Sequence, residues 1–300
     1  MNLENLVDEY LKVCENQNNL NYKTVKSYKL DLKQYMVFLD KEENYYRKEI
    51  LCKYIEMLHT KDYRVKTIKR KIATLKAFFS YLVYEDILEY NPFVKIRLRL
   101  KEPVILPKTI PIVYLENLFK CLYDERDNAD KNTYKYKALS RDIIILEILI
   151  STGIRISELC DLRKEQVSYS ERMIRIYGKG NKERIVYLNA QARLTLDEHM
   201  RDINTIINPY ILQSTRYINS KEHMSSGAVE SFCRRLGERT GVRNVHPHRF
   251  RRTCATMALK RGMPIEQVSK MLGHEELSTT QIYLDLDERN LEIAHEKYVV

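Results

Sequence analysis

Between positions 246 and 252 the chain reads HPHRFRR. Two imidazoles (His246, His248) and three guanidiniums (Arg249, Arg251, Arg252) in seven residues repel one another unless an anion sits among them. Pro247 suits the first position of a helix, and His248 and Arg251, three apart near its start, then share one face. The helix start itself favours negative charge. The stretch is a candidate anion site.

Other residues able to do chemistry stand at the joints between predicted elements. A helix over about 139 to 151 stops at Thr152-Gly153 and another begins near Ser157, which leaves Arg155 at the junction. Three strand-like runs follow, QVSYS, MIRIYG and RIVYL; in the second, Ile174 and Ile176 alternate with Arg175 and Tyr177. GKGNKE, 178 to 183, is a hairpin tip presenting Lys179 and Lys182. The stretch 200 to 222 shows no clear pattern. Helices resume from about Ser226 to Leu236, Pro247 to Arg261, Pro264 to Leu272 and from near Ser278, with Gly262 and Gly273 as stops and Pro264 as a first helical residue.

Three hundred residues suffice for two domains, and 51 Lys+Arg against 41 Asp+Glu leave a net charge of +10, which draws the chain to polyanions. The start, MNLENLVDEYLKVCE, lacks the basic and apolar regions of a signal peptide. The most apolar stretch, IIILEILI, is broken by Glu147 and is far shorter than the roughly 18 residues of a membrane span; it is expected to be a core helix. The protein is therefore expected in the cytoplasm, associated with the nucleoid and not with a membrane. Six scattered cysteines without C-x-x-C spacing are expected to be reduced.

Eight glycines and extended three-and-four periodicity predict a mainly α protein with a small antiparallel β-sheet. VKIRLRLKEPVILPKTIP, 94 to 111, carries three prolines and reads as an interdomain linker between residues 1–93 and 112–300. Before it, 21 to 41 forms one helix with Val25, Tyr28, Leu32, Tyr35, Met36 and Leu39 inward and Thr24 as a candidate N-cap. A second helix, 65 to 88, turns Ile68, Ile72, Leu75, Phe79 and Leu82 inward. Residues 61 to 76 hold seven cations against Asp62 alone. Lys66, Lys69, Arg70 and Lys71, beside Thr67, are expected to track a phosphate backbone, with Thr24 in the same surface.

The series STGIRISEL, IYGKGNKERIVYL, HPHRFRRTCATMAL and LGHEELSTTQIYLDL strongly resembles the tyrosine recombinase (phage integrase) family, most of all its two-domain Xer-like recombinases and integrases. The resemblance covers the whole chain. It implies a helical, SAM-like core-binding domain over 1–93 and a mixed α/β catalytic domain over 112–300. It places the catalytic set on Arg155, Lys179, His248, Arg251, His274 and the nucleophile Tyr283, with Glu158 in support. The implied activity is site-specific cleavage and rejoining of DNA through a 3′-phosphotyrosine, without metal, ATP or other cofactor. Chromosome dimer resolution, DNA inversion and element integration or excision all use this reaction. The alternatives are topoisomerase IB-like relaxation and a non-catalytic DNA-binding regulator.

The chemistry demands such residues independently. Two guanidiniums, Arg155 and Arg251, can neutralise the extra charge on the nonbridging oxygens of the transition state. His248 can take the tyrosine proton, Lys179 can protonate the departing 5′-oxygen, His274 can donate to the phosphate, and Glu158 can orient the cations. Two departures from the family are visible: Arg252 replaces a histidine after the H-x-x-R pair, and Tyr283 is followed by Leu284-Asp285 instead of a Tyr-x-His ending. Altered local packing of the tyrosine is expected.

The helix from Ser226 leaves Glu230, Arg234 and Arg235 outward, and the two arginines are candidate base readers in a major groove. The tail ERNLEIAHEKYVV offers Leu291, Ile293 and Ala294 for docking on a neighbour. The expected partners are double-stranded DNA with an inverted-repeat core site, three further copies in a DNA-bound tetramer, and a second recombinase or accessory protein.

Overall fold

The structure, a computed structural model, describes residues 2–18, 20–40, 44–100, 108–168, 170–178, 182–203, 208–213, 222–274, 276–281 and 299. The chain divides into two compact units, Met1–Val104 and Ile105–Val300.

The first unit is helical. Helices α1 (Leu3–Asn16), α2 (Tyr22–Leu39), α3 (Lys48–Thr60) and α4 (Val65–Tyr84) precede a 3₁₀ turn, Pro92–Lys95. Asn2 and Asn21 cap α1 and α2, each side-chain oxygen accepting from a backbone N–H two residues on. Thr24 is thus not the cap; it lies half-buried in the first turn of α2. The core interleaves Leu32 and Tyr35 with Tyr54, Leu75 and Phe79, and the Tyr35 and Tyr54 rings meet edge to face at 4.9 Å. Phe93 is buried in this core, and from the predicted linker Ile96, Leu98 and Leu100 pack against it.

The second unit surrounds α6 (Tyr134–Thr152), which begins five residues before the predicted start and packs against α5 (Ile112–Asp127), α8 (Ala190–Ile203) and α10 (Pro247–Lys260). IIILEILI is buried up to Leu149, as a core helix requires. Glu147 is tolerated there because it accepts from the Tyr123 hydroxyl at 3.0 Å, and burial pushes its carboxyl pKa up.

Three short antiparallel strands, β1 (Val167–Ser168), β2 (Met173–Tyr177) and β3 (Glu183–Tyr187), pair in the order β1-β2-β3. The register sets Ile174 opposite Val186 and Ile176 opposite Arg184, all on the inward face. Helices α7 (Ile156–Cys160), α9 (Ser226–Thr240), α11 (Ile265–Leu272) and α12 (Ser278–Gln281) and a 3₁₀ turn, Lys164–Gln166, complete the described elements. Pro264 caps α11 and does not open it; α9 runs four residues beyond the predicted end.

Candidate active site

The end of α11 is the hub. Gly273, with φ +68°, turns the chain left-handed at the helix stop. The carbonyls at its end, normally orphaned, take arginines from two other helices. Arg251, on the buried face of α10, donates from Nη2 to Leu272 O and from Nη1 to Gly153 O, each at 2.7 Å. Arg155, the residue before α7, donates from Nη2 to Gly273 O at 2.8 Å. His274 comes next in the chain, its Nδ1 2.8 Å from Thr280 Oγ1. Three consecutive residues, 272 to 274, therefore gather Arg251 and Arg155 and supply an imidazole.

Glu158 closes the back of this cluster. It accepts from Arg155 Nη1 at 3.0 Å and from the Arg155 backbone N–H at 2.7 Å, both within reach because it stands at the third position of α7. Arg184 of β3 forks onto its two oxygens at 2.9 and 2.6 Å. Burial by itself would raise the Glu158 pKa; the hydrogen bonds from Arg184 and Arg155 overcome it and hold the carboxyl below its usual range.

The histidines are held neutral. Burial, then the guanidiniums of Arg251, Arg155 and Arg184, push the His274 pKa down to about 4. His248, exposed on the first turn of α10, is lowered by partial desolvation and by Arg251, Arg252 and Arg155. An imidazole without its proton can accept one, which a base for the phenol requires.

Other residues of HPHRFRR do not join the cluster. Arg249 turns to backbone carbonyls of Thr109 and Arg243. Arg252 is half-buried and lowers the pKa of both His246 and His248.

The expected Lys179 and Tyr283 lie outside the described residues, as does the tail 288 to 300 apart from Val299. The base of the lysine hairpin is described: Gly178 N–H donates to Lys182 O at 2.9 Å. Arg234 and Arg235 are exposed on α9, with Val229, Phe232 and Leu236 buried on its other face.

In the first unit, Lys66, Lys69 and Arg70 are exposed on α4 and Thr67 is half-buried. Lys71 departs from the expected basic surface. It is buried, its Nζ 2.9 Å from the carboxylate of buried Asp31. Arg70 pairs with the same carboxylate, and Thr74 donates to it at 3.1 Å. Asp31 and Lys71 satisfy each other inside the α2–α4 packing, so Lys71 is unsuited to a phosphate contact.

The profile of the phage integrase family matches residues 121–290, and that of the phage integrase N-terminal SAM-like domain matches 7–86. The chain belongs to the tyrosine recombinase family. A tyrosine recombinase of Agathobacter rectalis is 39% identical over 291 residues, 94% of this chain and 92% of the relative. Tyrosine recombinase XerC of Staphylococcus aureus is 30% identical over 297 residues, 96% and 94% of the two chains. Among solved structures, the XerH site-specific recombinase bound to a palindromic difH substrate has a TM-score of 0.75 at 21% identity, covering 98% of this chain and 85% of that one. Lambda integrase bound to a COC′ core site has a TM-score of 0.71 at 17% identity, covering 93% and 97%. These two share the fold. As a tyrosine recombinase the protein catalyses site-specific DNA cleavage and rejoining.

Arg184 is the member of the cluster that the sequence reading omits. Its signal is the register: a cation opposite Ile176, on the inward face of a hairpin, needs a buried acid.

Proposed function

We propose that Arg155 and Arg251 bind the nonbridging oxygens of a scissile DNA phosphate, with His274 as a third donor and Tyr283 as nucleophile. The Tyr283 oxygen bonds to phosphorus while its proton passes to His248. The bond from phosphorus to the 5′-oxygen breaks, and Lys179 delivers the proton that this oxygen needs. The product is a 3′-phosphotyrosine and a free 5′-hydroxyl. A 5′-hydroxyl from a second strand reverses the sequence, so the bond is exchanged without an external energy source. The observation that carries this reading is the gathering of Arg155, Arg251 and His274 at residues 272 to 274, with the neutral His248 one turn before Arg251 on α10.

The assembly follows from the same reading. The substrate is double-stranded DNA with an inverted-repeat core, recognised by the exposed cations of α4 and by Arg234 and Arg235 in a major groove. Four copies act together, each passing its tail to a neighbour. Its compartment is the cytoplasm, where the protein works on the nucleoid.

The test is capture of covalent adducts. Purified protein is incubated with host genomic DNA in EDTA, quenched in detergent, and the attached DNA is sequenced. Adducts at one short inverted repeat, absent with Tyr283→Phe, are expected. Adducts scattered without a common sequence would indicate relaxation activity, and none at all would leave only a DNA-binding role.

A further inference from the structure

Arg184 has no direct part in the chemistry above. Its Nη1 and Nη2 are directed to Glu158, its Nε donates to Met271 O at 3.0 Å, and its side chain is 12% exposed. A guanidinium so engaged is not a phosphate ligand. Its effect falls on Glu158. Oε1 accepts from Arg184 Nη1 and Arg155 Nη1; Oε2 accepts from Arg184 Nη2 and the Arg155 backbone N–H. A carboxylate offers about four lone-pair sites, and here they are filled.

That saturation fixes Arg155. With Glu158 full, Arg155 gives it one guanidinium nitrogen, turns the other to Gly273 O, and keeps 39% of its side chain open. Without Arg184, the buried carboxylate would draw both Arg155 nitrogens into the forked pairing that such ions prefer. The fork would release Gly273 O and swing the guanidinium toward the protein. Packing agrees with a fixed unit: a Cβ on Gly273 would lie 3.0 Å from Cδ, Nε and Cζ of Arg184.

We infer that Arg184 is a positioning residue for DNA cleavage, which saturates Glu158 and so reserves Arg155 for the scissile phosphate. The inference rests on the proposed contact between Arg155 and the nonbridging oxygens.

The experiment measures single-turnover adduct formation on duplexes carrying the site found by adduct sequencing. Three versions differ only at the scissile position: an ordinary phosphodiester, a methylphosphonate lacking the nonbridging charge, and a phosphorothiolate with sulfur at the 5′-bridging position. On the phosphodiester, Arg155→Ala should lose ~100-fold or more, and Arg184→Ala at least ~10-fold, the range of a missing charge-stabilising donor and a fraction of it. On the methylphosphonate both variants should come within a few-fold of the parent protein, and the sulfur substrate should restore neither. A general folding defect would lower all three rates alike and overturn the inference.

Arg184→Lys keeps the charge but cannot fork; it should show the same pattern with a smaller loss, even if Arg184→Ala does not fold. If Arg155→Ala recovers on the methylphosphonate and the Arg184 variants do not, the inference falls and the role of Arg155 stands. If Arg155→Ala does not recover, both fall. Recovery of the Arg184 variants on sulfur alone would place Arg184 with the leaving group and overturn the inference.

Discussion

Arg249 donates from Nε and Nη2 to one acceptor, the carbonyl oxygen of Thr109, at 3.2 and 2.8 Å. One turn further along α10, Thr253 Oγ1 accepts from the next backbone N–H, that of Ile110, at 2.8 Å. The segment entering α5 is thus fastened to the helix that carries His248 and Arg251. Arg249→Ala is expected to cost about 1 kcal/mol, the scale of a partly exposed charged hydrogen bond. Urea denaturation checks this, and an unchanged midpoint would show that the contact contributes nothing.

Gly273→Ala should be more damaging than Gly241→Ala. Both glycines have positive φ, +68° and +71°, so both substitutions strain the backbone by about 1 kcal/mol. Only at Gly273 does the new methyl meet a neighbour, the buried guanidinium of Arg184, while nothing lies within 4 Å of the one at Gly241. Thermal unfolding and adduct formation should both fall further for Gly273→Ala. Equal losses would mean that the Arg184 contact yields without consequence.

The catalytic unit should weaken in mild acid. His274 has a folded pKa of about 4, against about 6.5 in an unfolded chain. Between those values the unfolded state binds more protons, so stability is complete above the higher value and is lost as pH falls through the lower one. His248, also lowered, acts in the same direction, and Glu158 adds its loss below its ordinary 4.5. The urea midpoint should be lower at about pH 4.5 than at about pH 7, and His274→Gln should narrow the gap. An identical gap in that variant would exclude His274 as a source.

Sulfur at the 5′-bridging position separates acid from charge. Lys179→Ala, slow on ordinary DNA by ~100-fold or more, should recover strongly when the leaving group is a thiolate that needs no proton. Arg251→Ala should not recover, and Tyr283→Phe should stay inactive on both. Recovery of Lys182→Ala in place of Lys179→Ala would move the acid three residues along the hairpin.

For base reading, Arg234→Ala or Arg235→Ala should cost about 1 to 3 kcal/mol in discrimination wherever the native guanidinium reads a base with two hydrogen bonds. Competition binding against random duplex measures it. Equal weakening on specific and random DNA would reduce these residues to phosphate contacts.

The sequence made three of these polar residues legible, because each stands at a chain joint marked by glycine or proline: Arg155 after Gly153, His248 after Pro247, His274 after Gly273. It was less informative where two charges meet inside. Lys71 lies three residues from Ile68 and four from Leu75, on the apolar stripe of α4. Asp31 holds the same relation to Tyr28 and Tyr35 on α2. Either charge alone looks like a solvated residue at the edge of a stripe; their pairing is a property of two helices brought together. Arg184 is the same case across a strand and a helix. Composition also conceals α1, α3 and α8, whose apolar positions are periodic but whose ends lack punctuation as strong as that around the site.

Arg251 ties two helix ends together. Gly153 O stands at the end of α6 and Leu272 O at the end of α11, and both accept from the one guanidinium. Each carbonyl lies at the negative end of its helix, where a cation is favoured. A shift of either helix would drag the guanidinium with it, so the spacing of α6 and α11 sets where that charge stands.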